Sequence, residues 1–234
     1  MSARSRLAEY PILFGHRSVG ADLLQGVSRL APALPVHELA APEDSPRPGI
    51  NHFRAGENHA PARKFRDLAD RAQQARHCVL AGIKLCYVDI RADTDIDGLF
   101  RLYRETLDRL LDSAPALRLF HVTVPLRSAR PGLRARLRML VGRPIRVLED
   151  NLRREAYNDM LRDTWGDDGS LFDLAALESR NPEGESCRVA YRGLKVPVLA
   201  PDLTRDGGHL NPDGAMRLAD AWLDFLGTRL TDTP

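Results

Sequence analysis

The sequence predicts an α/β fold in which a mainly parallel sheet is covered by helices on both faces. Three observations predict it. Short apolar runs bounded by glycine or proline alternate with longer amphipathic stretches, as strands and crossover helices do. No fixed-period repeat or domain linker interrupts the alternation. The 234 residues are 43% hydrophobic and 28% charged, which suits one globular domain over 1–234 that buries most of its apolar surface.

Tyr10 to Phe14 is an apolar run closed by Gly15 and reads as a buried strand. Residues 18 to 31 follow as a helix with Leu23, Leu24, Val27 and Leu30 on one face. Val36 to Leu39 is a second short strand, and the Pro/Gly-rich stretch 42–58 reads as a long loop. Pro61 suits the first turn of a helix over 61–76. His77 to Ile90 is the most strand-like run, followed by a helix carrying Leu99, Leu102, Tyr103, Leu107, Leu110 and Leu111. Leu117 to Val124 reads as a strand, 150–164 as a helix, and Leu171–Leu174 and Val196–Leu199 as short strands. A last helix runs from Asn211 to Leu226.

Composition excludes several classes. No apolar run approaches the roughly 18 residues needed to cross a bilayer, so no membrane partner is expected. Glu9 and Pro11 interrupt the first fifteen residues, which therefore do not read as a signal peptide, and a cytoplasmic location is expected. Three scattered cysteines, Cys78, Cys86 and Cys187, fit free thiols in a reducing compartment. A net charge of +2 gives no support to nucleic-acid binding. His16, His52, His59 and His209 lack metal-ligand spacing, so neither metal nor organic cofactor is called for.

In an open parallel sheet, reactive groups gather beyond the carboxyl ends of the strands. Two segments there carry chemistry. Phe14 to Gly20 (FGHRSVG) places Ser18 after the first strand, where helix N–H groups favour developing negative charge. Alone, that serine reads better as a helix N-cap than as a nucleophile. Thr204 to Gly214 (TRDGGHLNPDG) changes the balance, because Asp206 and His209 flank Gly207-Gly208. Such a loop lets a carboxylate fix the imidazole tautomer and leaves Nε2 to accept a serine proton. Asn211 and Pro212 then suit the cap and first position of the last helix.

An early serine after strand one and a late Asp-x-x-His before the last helix resemble the SGNH/GDSL hydrolases. The resemblance implies a three-layer α/β/α sandwich with a five-stranded parallel sheet. It also implies Ser18 as nucleophile, His209 as base and Asp206 as its orienting group, acting on a small-molecule ester or O-acyl group without a cofactor. Departures are plain: Gly15-His16-Arg17-Ser18 replaces Gly-Asp-Ser, and Cys86-Tyr87-Val88-Asp89 stands where Gly-x-Asn-Asp is expected. Val88 thus occupies the place of the family's oxyanion-binding asparagine. The Ser18 and Gly56 N–H groups and the Asn58 amide are the candidate oxyanion donors, with His16, Arg17 and Asp89 as candidate substrate-binding residues.

Lys84, in the most apolar strand, requires exposure or a buried partner. Residues 127–146 hold seven arginines and no acid. They read as a solvated basic face or as a lid suited to an anionic or carrier-bound substrate. The expected activity is a serine esterase. Acyl transfer by the same triad, a non-catalytic binding module on the same fold, and an arginine-rich interaction surface are the alternatives.

Overall fold

The computed structural model describes residues 3–41, 43–129 and 143–231. The sheet is built on β1 (Pro11–His16), whose residues from Ile12 onward are all buried, as befits a central parallel strand covered on both faces. Around it lie β2 (Val36–Glu38), β3 (Gly49–Arg54), β4 (Leu80–Ile83), β5 (Arg118–Val122) and the two-residue β6 (Leu171–Phe172). They stand in the order β2-β3-β1-β4-β5-β6, and every pairing is parallel.

The sheet therefore has six strands where five were expected. One source is β3, which lies inside the stretch read as a loop. Asn51 and His52 break its apolar run, so hydropathy conceals it. The buried Asn51 is satisfied locally: its amide donates to the Arg47 carbonyl at 2.6 Å and its oxygen accepts the Arg47 N–H at 2.8 Å. A buried amide of this kind costs little because each bond to water is replaced.

The run 77–90 is likewise not one long strand. The chain leaves the sheet after Ile83 and enters a 3-10 turn over Tyr87–Asp89. Val196 belongs to a separate antiparallel hairpin, β7 (Arg188–Tyr191) and β8 (Leu194–Pro197), outside the main sheet.

Alternate residues of β1 feed two cores. Ile12 and Phe14 face α1 (Val19–Leu30) and the last helix, where Phe14 meets the fully buried Trp222 ring at 4.7 Å. Leu13 faces the opposite core, built with α2 (Pro61–Gln74), α3 (Ile96–Ser113) and α4 (Arg146–Trp165). Each such side chain stabilises the fold by about 1.5–3 kcal/mol through removal from water. A short α5 (Leu174–Glu178) and the long α6 (Pro212–Thr231) complete the layers. This is the helix–sheet–helix architecture expected.

Among the described residues, no helix is long and apolar enough to cross a membrane. Most of the arginine-rich stretch 127–146 lies outside the described residues. Its first described part, after β5, runs beside the loop preceding α6, where the Ser128 N–H donates to the Gly207 carbonyl at 2.9 Å.

Candidate active site

Ser18 joins β1 to α1 with φ 54° and ψ −114°, an unusual conformation for a residue other than glycine. Its hydroxyl makes no capping bond to α1. Instead, Ser18 Oγ lies 2.7 Å from His209 Nε2. The simple N-cap reading of this serine is thus set aside by where its oxygen points. Backbone strain at a position like this persists only when its surroundings hold it.

The surroundings do so through the 204–210 loop. His209 Nδ1 lies 2.6 Å from Asp206 Oδ2, while Asp206 Oδ1 accepts the His209 and Gly208 N–H groups at 2.7 and 2.9 Å. Partial burial alone would raise the Asp206 carboxyl; those N–H bonds and the imidazole outweigh it and hold it below the ordinary carboxylate range. An ionised acceptor at Nδ1 assigns the ring proton to Nδ1 and leaves Nε2 to accept from the Ser18 hydroxyl.

Gly207 adopts φ +84°, which a side chain would strain. A Cβ at Gly208 would lie 2.9 Å from the Tyr87 hydroxyl, so this glycine is needed for close approach. Thr204 Oγ1 donates to the His209 carbonyl at 2.6 Å and accepts the Gly207 N–H at 2.9 Å. Buried Asp22 of α1 accepts from the Leu210 N–H and from Arg205, both at 3.1 Å, tying the loop to the helix that Ser18 opens. Asn211 accepts the Gly214 N–H at 2.8 Å, capping α6 as its sequence suggests.

The other expected residues divide. The Gly56 N–H donates to Asp67 Oδ2 at 2.6 Å, so it is already taken and does not offer itself to an oxyanion. The cause is Asp67 on α2, which the one-dimensional spacing does not show. Asn58 is exposed on the same loop, and its side chain makes no hydrogen bond among the described residues. The Ser18 N–H also has no protein acceptor among the described residues.

Asp89, expected to bind substrate, is instead sealed inside. Its side chain is 0% exposed and receives Lys64 Nζ at 2.5 Å, the Cys86 N–H at 2.7 Å and the His59 N–H at 2.9 Å. It pins the β4 loop to the β3 loop. His16 is enclosed too, with Nε2 3.1 Å from His52 Nδ1. Burial, aided by His52 and Lys84, pushes its pKa down to about 3, so the ring is neutral. It lines a cavity of about 510 Å³ between α1 and the β2–β3 edge, together with His52, Glu38 and Arg54. Arg17 remains half-buried beside Ser18, with its Nε on the Ala55 carbonyl at 3.2 Å.

Tyr87 was missed as a site residue. Its ring meets His209 edge-on at 6.1 Å and carries the Arg127 and Arg154 guanidinium groups at 5.5 and 5.8 Å. Its position inside the block aligned with Gly-x-Asn-Asp was the available signal. Lys84 is fully buried and donates to the Leu85 carbonyl at 3.0 Å, and burial lowers its pKa. Among the described residues, no cluster of three or more metal-ligating side chains is present.

Neither a family model nor a curated protein matches this sequence. Solved structures do match the fold. A GDSL-like lipase from Bacteroides thetaiotaomicron superposes with a TM-score of 0.56 at 9% identity, over 93% of this chain and 87% of that one. The chain has an SGNH/GDSL-like fold. A carbohydrate esterase family 3 protein from Talaromyces cellulolyticus gives a TM-score of 0.54 at 12% identity, over 96% of this chain and 99% of the other. At such identities the SGNH/GDSL-like likeness concerns backbone architecture, and the chemistry must be argued from the side chains.

Proposed function

We propose that this chain is a serine-dependent acyl hydrolase that cleaves an ester or O-acyl group through an acyl-enzyme. The observation that carries the reading is the continuous chain Ser18 Oγ–His209 Nε2–His209 Nδ1–Asp206, at 2.7 and 2.6 Å. The first distance suits proton transfer from a nucleophile to its base, and the second suits a carboxylate that orients that base.

Ser18 Oγ attacks the acyl carbonyl as its proton passes to His209 Nε2. Asp206 stabilises the imidazolium and keeps its Nδ1 proton in place. The C–O bond of the ester then breaks, and His209 returns the proton to the departing alcohol. Water, deprotonated by the same Nε2, attacks the acyl-serine and releases the acid, restoring the Ser18 hydroxyl. The Ser18 N–H at the start of α1 supplies one oxyanion donor, supported by the positive end of the helix dipole. The Asn58 amide supplies the second, from the loop after β3. The GDSL-like lipase and the esterase of like fold agree with this reaction class.

The test is labelling with a fluorophosphonate followed by peptide mapping. The proposal expects one adduct, on Ser18, abolished in Ser18→Ala, together with hydrolysis of a phenyl acetate by the unmodified protein. A correctly folded protein that takes no label at Ser18 and turns over no ester would overturn it.

A further inference from the structure

Arg127 is an unusually placed cation. Its guanidinium lies over the Tyr87 ring, which packs at a steep angle against the His209 ring, so the charge stands one ring away from the base. Its Nε is buried with no hydrogen-bond partner, and no described carboxylate pairs with it. The adjoining undescribed sequence does not supply the counter-charge, since residues 130–142 hold four arginines and no Asp or Glu.

The neighbourhood adds charge of the same sign. Arg154 shares the Tyr87 ring, and its own nearest carboxylate, Asp150, is 3.7 Å away. Burial lowers the Arg154 pKa to about 10, and Arg127 adds to that lowering. Two guanidinium groups on one half-buried ring repel each other, and the low-polarity surroundings strengthen that repulsion.

The backbone around Arg127 is nevertheless fixed. Asn151 accepts its N–H at 3.0 Å and donates to its carbonyl at 2.8 Å, while Ser128 is tied to Gly207 of the histidine loop. A held, unpaired guanidinium presents a planar fork that suits two oxygens of a carboxylate or phosphate, with little ordering left to be done on binding.

We infer that Arg127 forms an anion-binding subsite beside Ser18 and His209, so that the preferred ester carries a carboxylate or phosphate near the scissile carbonyl. The inference rests on the acyl-hydrolase reading for its chemistry, although the anion site itself is readable without turnover. An anion there offsets the repulsion between the Arg127 and Arg154 guanidinium groups.

The experiment compares phenyl acetate with 3-acetoxybenzoate and 3-acetoxyphenyl phosphate. The full chain is expected to favour at least one anionic ester by about 10- to 100-fold in kcat/KM, the usual worth of a charge-assisted bond. The ratio between the two anionic esters separates carboxylate from phosphate. Arg127→Gln is expected to collapse the anionic-to-neutral ratio towards one, and Arg127→Lys to restore part of it. In parallel, calorimetry on Ser18→Ala measures binding of benzoate and phenyl phosphate, which should weaken about 10-fold or more when Arg127→Gln is added.

Fluorophosphonate labelling of Ser18 with equal kcat/KM for all three esters overturns the anion subsite and leaves the hydrolase reading intact. Arg127-dependent anion binding without any labelling or turnover does the reverse. Thermal melts of each variant separate a misfolded chain from a lost contact, and a melt-matched Arg127→Gln that keeps the anionic preference also overturns the inference.

Discussion

Asp206 and Asp89 are two carboxylates that share one end of the sheet and do opposite work. Asp206 has a side chain that is 50% exposed and directs one oxygen at an imidazole and the other at loop N–H groups. Asp89 is 0% exposed, with its charge spent on Lys64 and two backbone N–H groups from separate loops. An oxygen aimed at a titratable group near solvent is available to chemistry. One enclosed by a lysine and backbone donors holds loops together. Accessibility and the identity of the partner separate the two roles.

Changing each carboxylate to its amide should break this comparison in different ways. Asp206→Asn is expected to leave the fold intact and lower kcat by about 10⁴-fold, because the amide no longer selects the productive imidazole tautomer. Steady-state kinetics with matched melting curves check it; a loss of less than tenfold would mean that Asp206 does not orient the base. Asp89→Asn is expected to remove about 3–5 kcal/mol of stability, since it strands the buried Lys64 ammonium. For a chain of this size, that is a fall in Tm of roughly 6–20 °C. The residual folded protein should still take the fluorophosphonate at Ser18, which a catalytic Asp89 would not allow.

The same contrast explains what was legible in the sequence. Ser18, Asp206 and His209, which the structure joins in one hydrogen-bonded chain, could be singled out because their surroundings are local signals: a strand end, a glycine pair and a helix start. The alternation of apolar runs disclosed the layered α/β architecture for the same reason. Gly56 and Asp89 were placed wrongly because their partners, Asp67 and Lys64, come from α2. No spacing rule reports such a contact. β3 escaped because its buried Asn51 is polar on paper and satisfied only in three dimensions. Tyr87 and Arg127, which meet only on folding, were invisible as a pair.

The loop after β3 allows the comparison to be sharpened. If Asn58 donates to the oxyanion, Asn58→Ala should lower kcat by about 100- to 1,000-fold while leaving KM and Tm little changed. An effect within threefold would leave Ser18 as the only donor proposed here and require another group to supply the second bond. Asp67→Asn offers the complementary change, because it weakens the competitor for the Gly56 N–H rather than removing a donor.

A third carboxylate, Glu178, resembles Asp89 in burial but makes no ion pair with a lysine among the described residues. It accepts the Leu126 N–H through one oxygen, and the other has no hydrogen-bond partner among the described residues. Burial pushes its pKa from 4.5 up to about 8, against the opposing pull of that N–H, Lys84 and Arg154. The folded state therefore keeps a proton that the unfolded chain has already lost between those two values. The contribution of Glu178 to stability falls as pH rises through that window, the reverse of an ordinary ion-paired carboxylate. Glu178→Gln keeps an acceptor for Leu126 and removes the titration. Relative to the unmodified protein, it should gain nothing below pH 4.5 and up to about 4 kcal/mol near pH 8, or roughly 8–16 °C in Tm, because each pH unit of that window is worth about 1.4 kcal/mol. Melting curves across this range decide the matter: parallel pH profiles would show that folding holds no extra proton on Glu178.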